Sequence, residues 1–293
     1  MASLKEVKTR ISSVQNTRKI TSAMKMVASS KLHHAQQTIE SMRPYEAKLE
    51  KIMSNFVSSI EGEIASPYAV QREVRRVALV VYTSNSSLCG GFNLNTIKAL
   101  RKKIEDYQAK GIEIVKIYAL GKKGLEAVRK LNFSDIQDHS DLLDHPAYEP
   151  AAKMAQELMD MYTAGDVDQV ELIYHHFQNT ATQVLTEETF LPISFDTQEN
   201  AKEEMTEKFA LDYIIEPSKE ELIQKLSPKA LHLKLYPAML DSLASEHAAR
   251  VIAMQVATDN ADELLRELTL TYNKTRQQAI TTELLDIVGG SMQ

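Results

Sequence analysis

The sequence predicts an α/β protein in which a doubly wound, Rossmann-like domain is inserted between two long helices that pair as an antiparallel coiled coil. The distribution of glycine is the first observation behind this prediction. None of the nine glycines precedes Gly62, and none lies between Gly165 and Gly289. Because glycine marks turns and helix ends, both glycine-free stretches can hold long unbroken helices. The second observation is that the residues between them alternate short β-branched runs with helical stretches.

The N-terminal helix is predicted from apolar residues that recur at alternating spacings of three and four from Leu4 to Phe56. The polar exceptions in this register are Arg18, Thr21, Lys25 and Glu46. A sustained heptad stripe is typical of a left-handed coiled coil. At ~1.5 Å per residue this helix is ~80 Å long, so it must project beyond any small domain. Pro44 lies inside the pattern and predicts a kink near Ser41.

The C-terminal helix is predicted from about Lys219 to Val288. Ser218 is a suitable N-cap, and Glu221 completes a capping box with it. Pro228 and Pro237 are expected to bend or interrupt the early part of this helix.

A heptad stripe follows in the same helix, although His247 and Arg250 interrupt it. Its apolar members are Leu243, Met254, Ala257, Ala261, Leu264 and Leu268. Polar residues then become frequent, and Gly289 with Gly290 is expected to stop the helix. Neither stripe is stable in water alone, and the chain must return between the two helices. The sequence therefore predicts that they pair in antiparallel orientation as one rod.

The middle of the chain predicts the α/β domain. Core strands are predicted at 76–84, 113–120 and 168–176, helices at 93–110, 122–131 and 151–163, and edge strands at 182–195 and 211–216. Alternating strands and helices indicate a parallel, doubly wound sheet with right-handed crossovers. The predicted division is a coiled-coil helix over 1–60, an α/β domain over 74–215 and a coiled-coil helix over 218–288.

Charge and composition limit the function. The net charge of −6 argues against a general nucleic-acid binder. Residues 1–39 nevertheless carry seven basic side chains and one acidic one, Glu6, which favours an acidic partner for this segment. The single cysteine, Cys89, excludes an internal disulfide and is typical of a reducing compartment. We expect no membrane span, signal peptide or import leader, because no apolar run or basic leader has the required length.

Candidate catalytic and ligand sites are weak. The residues Leu88–Phe92 follow a strand but lack both phosphate-loop patterns, so the glycines are interpreted as a tight strand-to-helix turn. The histidine pairs 33–34 and 175–176 are adjacent in sequence, so their side chains point apart and do not favour a metal site. No nucleophile–base arrangement is visible. The sequence therefore predicts no catalytic residue, no cofactor and no metal.

Three blocks of the sequence resemble the gamma subunits of F-type ATP synthases. These are ISSVQNTRKITSAMKMVA at 11–28, SLCGGFN at 87–93 and LASEHAARVIAM at 243–254. The resemblance runs along the whole chain, and it continues through 257–260, 272–274 and 280–281. Periodicity alone indicates only a coiled coil with an α/β insert.

The resemblance implies a rotor shaft with no active site of its own. One copy would stand inside a ring of alternating alpha and beta subunits, with the catalytic residues in beta. The globular end would bind the epsilon subunit and the membrane ring of c subunits. The absence of a leader and of the cysteine pair inserted in chloroplast relatives favours a bacterial chain, peripheral to the cytoplasmic face of the plasma membrane.

The resemblance also assigns contacts with the alpha and beta subunits. Met24 matches the position that faces an acidic loop of beta, and the charge of Lys25 suits such a loop. In the C-terminal helix, Glu246 and Arg250 match positions that face or support that region. Three further residues match a polar cluster higher on the same helix, namely Arg276, Gln277 and Thr281.

Two other interpretations stay open at this point. An α/β enzyme or nucleotide-binding module could use the long helices to dimerise. A coiled-coil adaptor could instead form a stable homo-oligomer. The absent phosphate motif argues against the first interpretation. Sedimentation distinguishes the second from a shaft, because a shaft is present as a single copy in its complex.

Overall fold

A computed structural model describes residues 3–58, 66–131, 133, 135–193 and 219–291. These residues form five α-helices and five strands. The helices are α1 (Leu4–Ser58), α2 (Phe92–Ala109), α3 (Lys122–Arg129), α4 (Tyr148–Ala164) and α5 (Lys219–Ser291). The strands are β1 (Arg76–Tyr82), β2 (Glu113–Leu120), β3 (Ile136–Asp138), β4 (Gln169–Phe177) and β5 (Gln183–Leu191). A single 3₁₀ turn at Ser140–Leu143 is assigned within the described residues.

Helices α1 and α5 form an antiparallel rod, which confirms the predicted coiled coil. Three contacts set the register: Thr21 shares a 2.8 Å hydrogen bond with Thr258, Arg18 forms a 2.8 Å ion pair with Asp262, and Lys25 Nζ donates to Gln255. In each contact the two residue numbers sum to about 280, so a step up α1 is matched by a step down α5. The apolar seam contains Leu32 and Ala35 of α1 against Ala244 and Ala248 of α5. The small side chains in this seam let the two backbones approach closely.

The sheet has the strand order β3-β2-β1-β4-β5. Strand β1 pairs in parallel with both β2 and β4, so the chain winds outward from β1 in both directions. This arrangement confirms the predicted doubly wound sheet. The predicted edge strand at 182–195 is β5, and it runs antiparallel to β4. The short strand β3 was not predicted, and the strand predicted at 211–216 lies outside the described residues.

The two faces of the sheet are covered differently. Alternate residues of β1, namely Val77, Leu79 and Val81, pack in a core with α2 and α3. The intervening residues of β1 pack on α4 and on the segment 231–243 of α5. Helix α5 is therefore part of the rod and also a layer of the α/β domain. The domain division drawn from sequence stays a prediction, to which the structure adds this segment of α5.

Helix α5 continues without a break for 73 residues through Pro228, Pro237 and the Gly289–Gly290 pair. An interior proline costs a helix about 3 kcal/mol because it removes one backbone hydrogen bond. Burial of the surrounding segment in the sheet core offsets this cost. The sequence predicted a bend or an interruption at the prolines, and the structure excludes the interruption. The predicted stop at the glycines was wrong, and the proposed cap Ser218 lies outside the described residues.

One member of the predicted seam does not lie in it. Leu264 is exposed, whereas its neighbour Leu265 is partly buried in the rod. Met254, Ala261 and Leu268 are buried at seven-residue spacing, so the stripe keeps its heptad period. The intervening seam position is Leu265 and not Leu264.

We predict that Leu235→Ala lowers the free energy of unfolding by about 3 kcal/mol, because it leaves a cavity between α5 and the sheet. Leu235 is 0% exposed, whereas Leu285 on the same helix is 66% exposed. The control Leu285→Ala should change the free energy of unfolding by less than about 0.5 kcal/mol. Urea unfolding of the full chain measures both values, and equal losses would contradict the shared role of α5.

Candidate partner interface of the rod

The rod meets the carboxyl end of β1 through a buried ion pair on α5. Glu246 and Arg250 are 6% and 7% exposed, and Glu246 Oε1 accepts a 2.5 Å hydrogen bond from Arg250 Nη2. The guanidinium also donates to the backbone carbonyls of Ser86 and Ser87, in the loop that follows β1. Burial is the largest influence on Glu246 and raises its pKa, while Arg250 opposes that rise. This contact fastens the loop to the rod.

The loop from Thr83 to Gly91, which we call the neck loop, has a constrained backbone. Leu88 adopts a φ of 69° and Gly90 a φ of 59°, so two residues lie in the left-handed region. Asn93 stabilises the turn by accepting a 2.9 Å hydrogen bond from the backbone N–H of Ser84. A Cβ at Gly90 would lie 3.9 Å from the Cβ of Ala253, so the loop lies directly against α5. The geometry matches the predicted strand-to-helix turn and presents Leu88, 60% exposed, beside the rod.

The crevice between β1 and β4 is filled by the chain itself. Doubly wound proteins bind ligands outside the carboxyl ends of the strands at the point where the strand order reverses. Here that position follows β1 and β4, and α5 lies across it. Ser245 Oγ donates to the backbone carbonyl of His175 at 3.2 Å, and Arg250 holds the loop after β1. A nucleotide at this point would have to displace α5.

The two adjacent histidines of β4 have separate environments, as the sequence predicted. The ring of His175 is 3% exposed, lies 4.5 Å from Phe92 and has Nδ1 3.3 Å from Thr96 Oγ1. Burial lowers the pKa of His175 to about 4. His176 points the other way and shares a 2.5 Å hydrogen bond with Asp241 of α5. Within the part of the chain that the structure describes, no group of three His, Cys, Asp or Glu side chains is placed to hold a metal ion.

Met24 and Lys25 lie on α1, above the neck loop. Both are half-buried, and Lys25 Nζ donates to Gln255 Oε1 at 2.5 Å. The adjacent apolar side chains Ile20 and Val27 are exposed. This part of the rod therefore offers an apolar surface beside a fixed positive charge.

Arg276, Gln277 and Thr281 lie at the far end of α5. The register places Leu4, the first residue of α1, level with Arg276, so the end of α5 extends beyond its partner helix. All three side chains are exposed, and Thr281 Oγ1 donates to the backbone carbonyl of Gln277 at 2.9 Å. They lie ~30 Å above the level of Met24 at ~1.5 Å per residue. The seven predicted contact residues therefore occupy two separate parts of the rod. The neck, around the neck loop, carries Met24, Lys25, Glu246 and Arg250, and the tip, at the end of α5, carries the other three.

Sequence reasoning missed the partners of Glu246 and Arg250. Their side chains face the loop of the same chain, so the geometry gives them a supporting position and leaves little surface for another subunit. A signal was available: the segment 231–243 of α5 is apolar on more than one face, which is typical of a helix buried in a core.

Comparison with known proteins identifies the family. A family model described as ATP synthase matches residues 3–292. The ATP synthase gamma chains of Bacteroides thetaiotaomicron and Phocaeicola vulgatus are each 56% identical to this chain, with 100% of both chains covered in each comparison. The chain belongs to the ATP synthase gamma chain family. It is accordingly a rotor subunit of the central stalk and a non-catalytic part of an ATP synthase.

Solved structures at lower sequence identity share the fold. The rotor of the Euglena gracilis mitochondrial ATP synthase matches with a TM-score of 0.63 at 20% identity, covering 94% of this chain and 98% of that one. The central stalk and c-ring structure from Tetrahymena thermophila matches with a TM-score of 0.57 at 23% identity, covering 81% and 99%. Among the described residues of this gamma chain, no helix is both long enough and apolar enough to cross a membrane.

We predict that Arg250→Ala lowers the free energy of unfolding by about 3 kcal/mol, because Glu246 would stay buried without its cation. Arg266 lies further along the same helix and is exposed, so Arg266→Ala serves as the matched control. Urea unfolding compares the two variants. A loss no larger than that of the control would show that the neck ion pair does not hold the loop.

We also predict that the chain loses stability as the pH falls from about 6.5 to about 4. An unfolded histidine titrates near pH 6.5, so between these values the unfolded state binds a proton at residue 175 that the folded state does not. The shift corresponds to about 3 kcal/mol at low pH. His175→Gln should make the unfolding free energy less dependent on pH, whereas the exposed His34→Gln should leave the slope unchanged. Equal slopes in both variants would contradict this assignment.

Proposed function

We propose that one copy of this gamma chain rotates inside a ring of alternating alpha and beta subunits and couples a membrane ring of c subunits to the catalytic beta subunits. The rod would lie within the alpha–beta ring, and the α/β end would bind the epsilon subunit and the c-ring. The structural relatives, a rotor and a central stalk with a c-ring, support this arrangement.

The end of α5 carries the proposal. Beyond the start of α1, the helix exposes four large apolar side chains: Ile280, Leu284, Leu285 and Ile287. Apolar side chains clustered on an unpaired helix favour burial against another protein. A surrounding collar would cover several sides of this tip at once.

The neck and the tip have different roles in this proposal. Met24 and Lys25 at the neck would face the acidic loops of the beta subunits, and Arg276, Gln277 and Thr281 would contact the ring near the tip. Glu246 and Arg250 would hold the neck loop in place under these contacts. Below the apolar end of α5, the polar surface around Arg276 and Gln277 avoids deep energy wells during rotation, because ~1.4 kcal/mol of extra affinity at one position changes the equilibrium constant about tenfold.

We propose that the assembled protein lies at the cytoplasmic face of a bacterial plasma membrane, as a peripheral subunit. The bacterial sources of the most similar gamma chains support this location. The c-ring would provide the attachment to the membrane.

The competing functions are less well supported. A nucleotide-binding module needs an open crevice at the carboxyl ends of the strands, and α5 occupies that position. A homo-oligomeric adaptor would use the rod surface to bind a second copy, whereas the shaft would enter its complex singly.

Reconstitution tests the proposal. The full chain is mixed with alpha and beta subunits from a related bacterium, and ATP hydrolysis is followed with and without it. We expect co-elution at one copy per three beta subunits and sustained turnover, with a matched gamma chain as the control. If the matched gamma chain restores turnover and this chain neither co-elutes nor changes the rate, the shaft function is wrong.

We predict that Met24→Lys lowers proton pumping per ATP hydrolysed while assembly is retained, because it adds a charge at the contact with the acidic loop. The two rates are measured on the same membrane vesicles. Met24→Leu, which keeps the apolar side chain, is the control. A variant in which both rates fall in proportion would contradict the assignment of Met24 to this contact.

A further inference from the structure

The outer layer of the α/β domain carries a concentration of unpaired positive charge. We define the α2–α3 face as the solvent side of helices α2 and α3 with the residues that end them. Seven exposed basic side chains on it form no ion pair within the described part of the chain. They are Lys98, Arg101, Lys102, Lys110, Lys122, Arg129 and Lys130.

Acidic side chains on the same face are too few to neutralise these cations. The two helices contribute three exposed carboxylates: Glu105, Asp106 and Glu126. One of them, Glu126, is already paired with Lys123 at 3.0 Å. The face is therefore strongly positive on a chain whose net charge is −6. A local excess of one sign against the overall charge attracts a surface of the opposite sign.

The α2–α3 face lies on the side of the sheet opposite the rod. The core beneath it contains Leu100, Ile104 and Val128, whereas α5 packs on the other face of the sheet. Strand β1 and the loop after it run in the same direction as α5. The hydroxyl of Tyr82 donates to the carbonyl of Leu235, and further along both segments the Arg250 guanidinium donates to the carbonyl of Ser87. The face is thus roughly parallel to the rod axis and points away from it.

This orientation restricts the partner. In the proposed function the membrane lies below the foot of the rod and perpendicular to it, so the α2–α3 face looks along the membrane surface and not towards it. Single-stranded nucleic acid is bound by exposed aromatic rings between basic residues. The two aromatic residues of α2, Phe92 and Tyr107, are buried in the core.

We propose that the α2–α3 face docks a carboxylate-rich surface of another protein subunit in the same complex. Five of the seven unpaired cations are lysines, whose compact ammonium groups donate to carboxylates in many orientations. Exposed Leu94 lies beside Lys98 on α2 and provides an apolar contact at the edge of the charged area. The inference rests on the proposed function, since the partner belongs to the assembled complex.

Zero-length cross-linking with a carbodiimide tests the contact directly, because this reagent joins an amine to a carboxylate only when they touch. The complex is reassembled around the full chain, treated and analysed by mass spectrometry. We expect links from Lys98, Lys102 or Lys122 to Asp or Glu of another subunit. Lys48 and Lys153, which are equally exposed but lie outside the face, should give few such links.

Charge reversal provides the second measurement. Lys98→Glu with Lys102→Glu should weaken retention of the cross-linked subunit by at least about tenfold at low salt, and the weakening should diminish as salt screens the wild-type contact. Lys48→Glu with Lys153→Glu makes the same change of charge elsewhere and should leave retention unaltered. Circular dichroism of each variant establishes that it is folded.

The outcomes separate this inference from the proposed function. A complex that assembles and turns over normally, yet gives no links from the face and no selective loss of a subunit, overturns the inference alone. Binding of the free chain to vesicles with anionic lipid, abolished by the same reversal and without protein links, overturns it in favour of a membrane contact. Failure of the wild-type chain to assemble overturns the proposed function itself.

Discussion

The packing of one helix into two structures is the constraint on which the rest of the chain depends. Residues 231–243 of α5 are buried in the sheet core, and the later residues of the same helix pair with α1. The sheet cannot rotate about the rod axis independently of α5, because such a rotation would expose apolar side chains such as Leu235 and Met239. Burial of a single side chain of this size is worth about 1.5–3 kcal/mol, and many act together here. The rod and the α/β domain are therefore mechanically one body along α5.

Polar contacts add direction to this apolar packing. Hydrophobic burial is nearly independent of orientation, whereas hydrogen bonds and ion pairs fix one geometry. Arg250 to the neck loop, Asp241 to His176 and Lys234 to Glu188 lie at successive levels along α5 and reach different parts of the sheet. The ion pair of Glu246 with Arg250 is buried, so its net contribution to stability is small compared with the loss on breaking it. Its effect is to set the position of the loop.

The sequence predicted those parts of the structure that depend on local pattern. The hydrophobic period and the placement of glycine were sufficient to predict α1, the parallel strands and the doubly wound order. Each of these features depends on residues that are close in sequence. The packing of 231–243 on the sheet was not predicted, since its partners lie on strands more than 40 residues away along the chain. The same reason explains Glu246 and Arg250: a resemblance identified the positions, but only the fold brings the carbonyls of Ser86 and Ser87 to the guanidinium.

The tip of α5 shows how a helix can be stable in one setting and incomplete in another. Helices shorter than about 12–15 residues are marginal in water, and the unpaired end beyond Arg276 is of that length. It continues from a helix that is already formed, so no new nucleus is needed, yet four of its large apolar side chains are 48–68% exposed: Ile280, Leu284, Leu285 and Ile287. At 100° per residue these side chains spread over about 160° of the helix surface. One flat partner would bury only part of this arc, whereas a collar would bury all of it while leaving the helix free to turn.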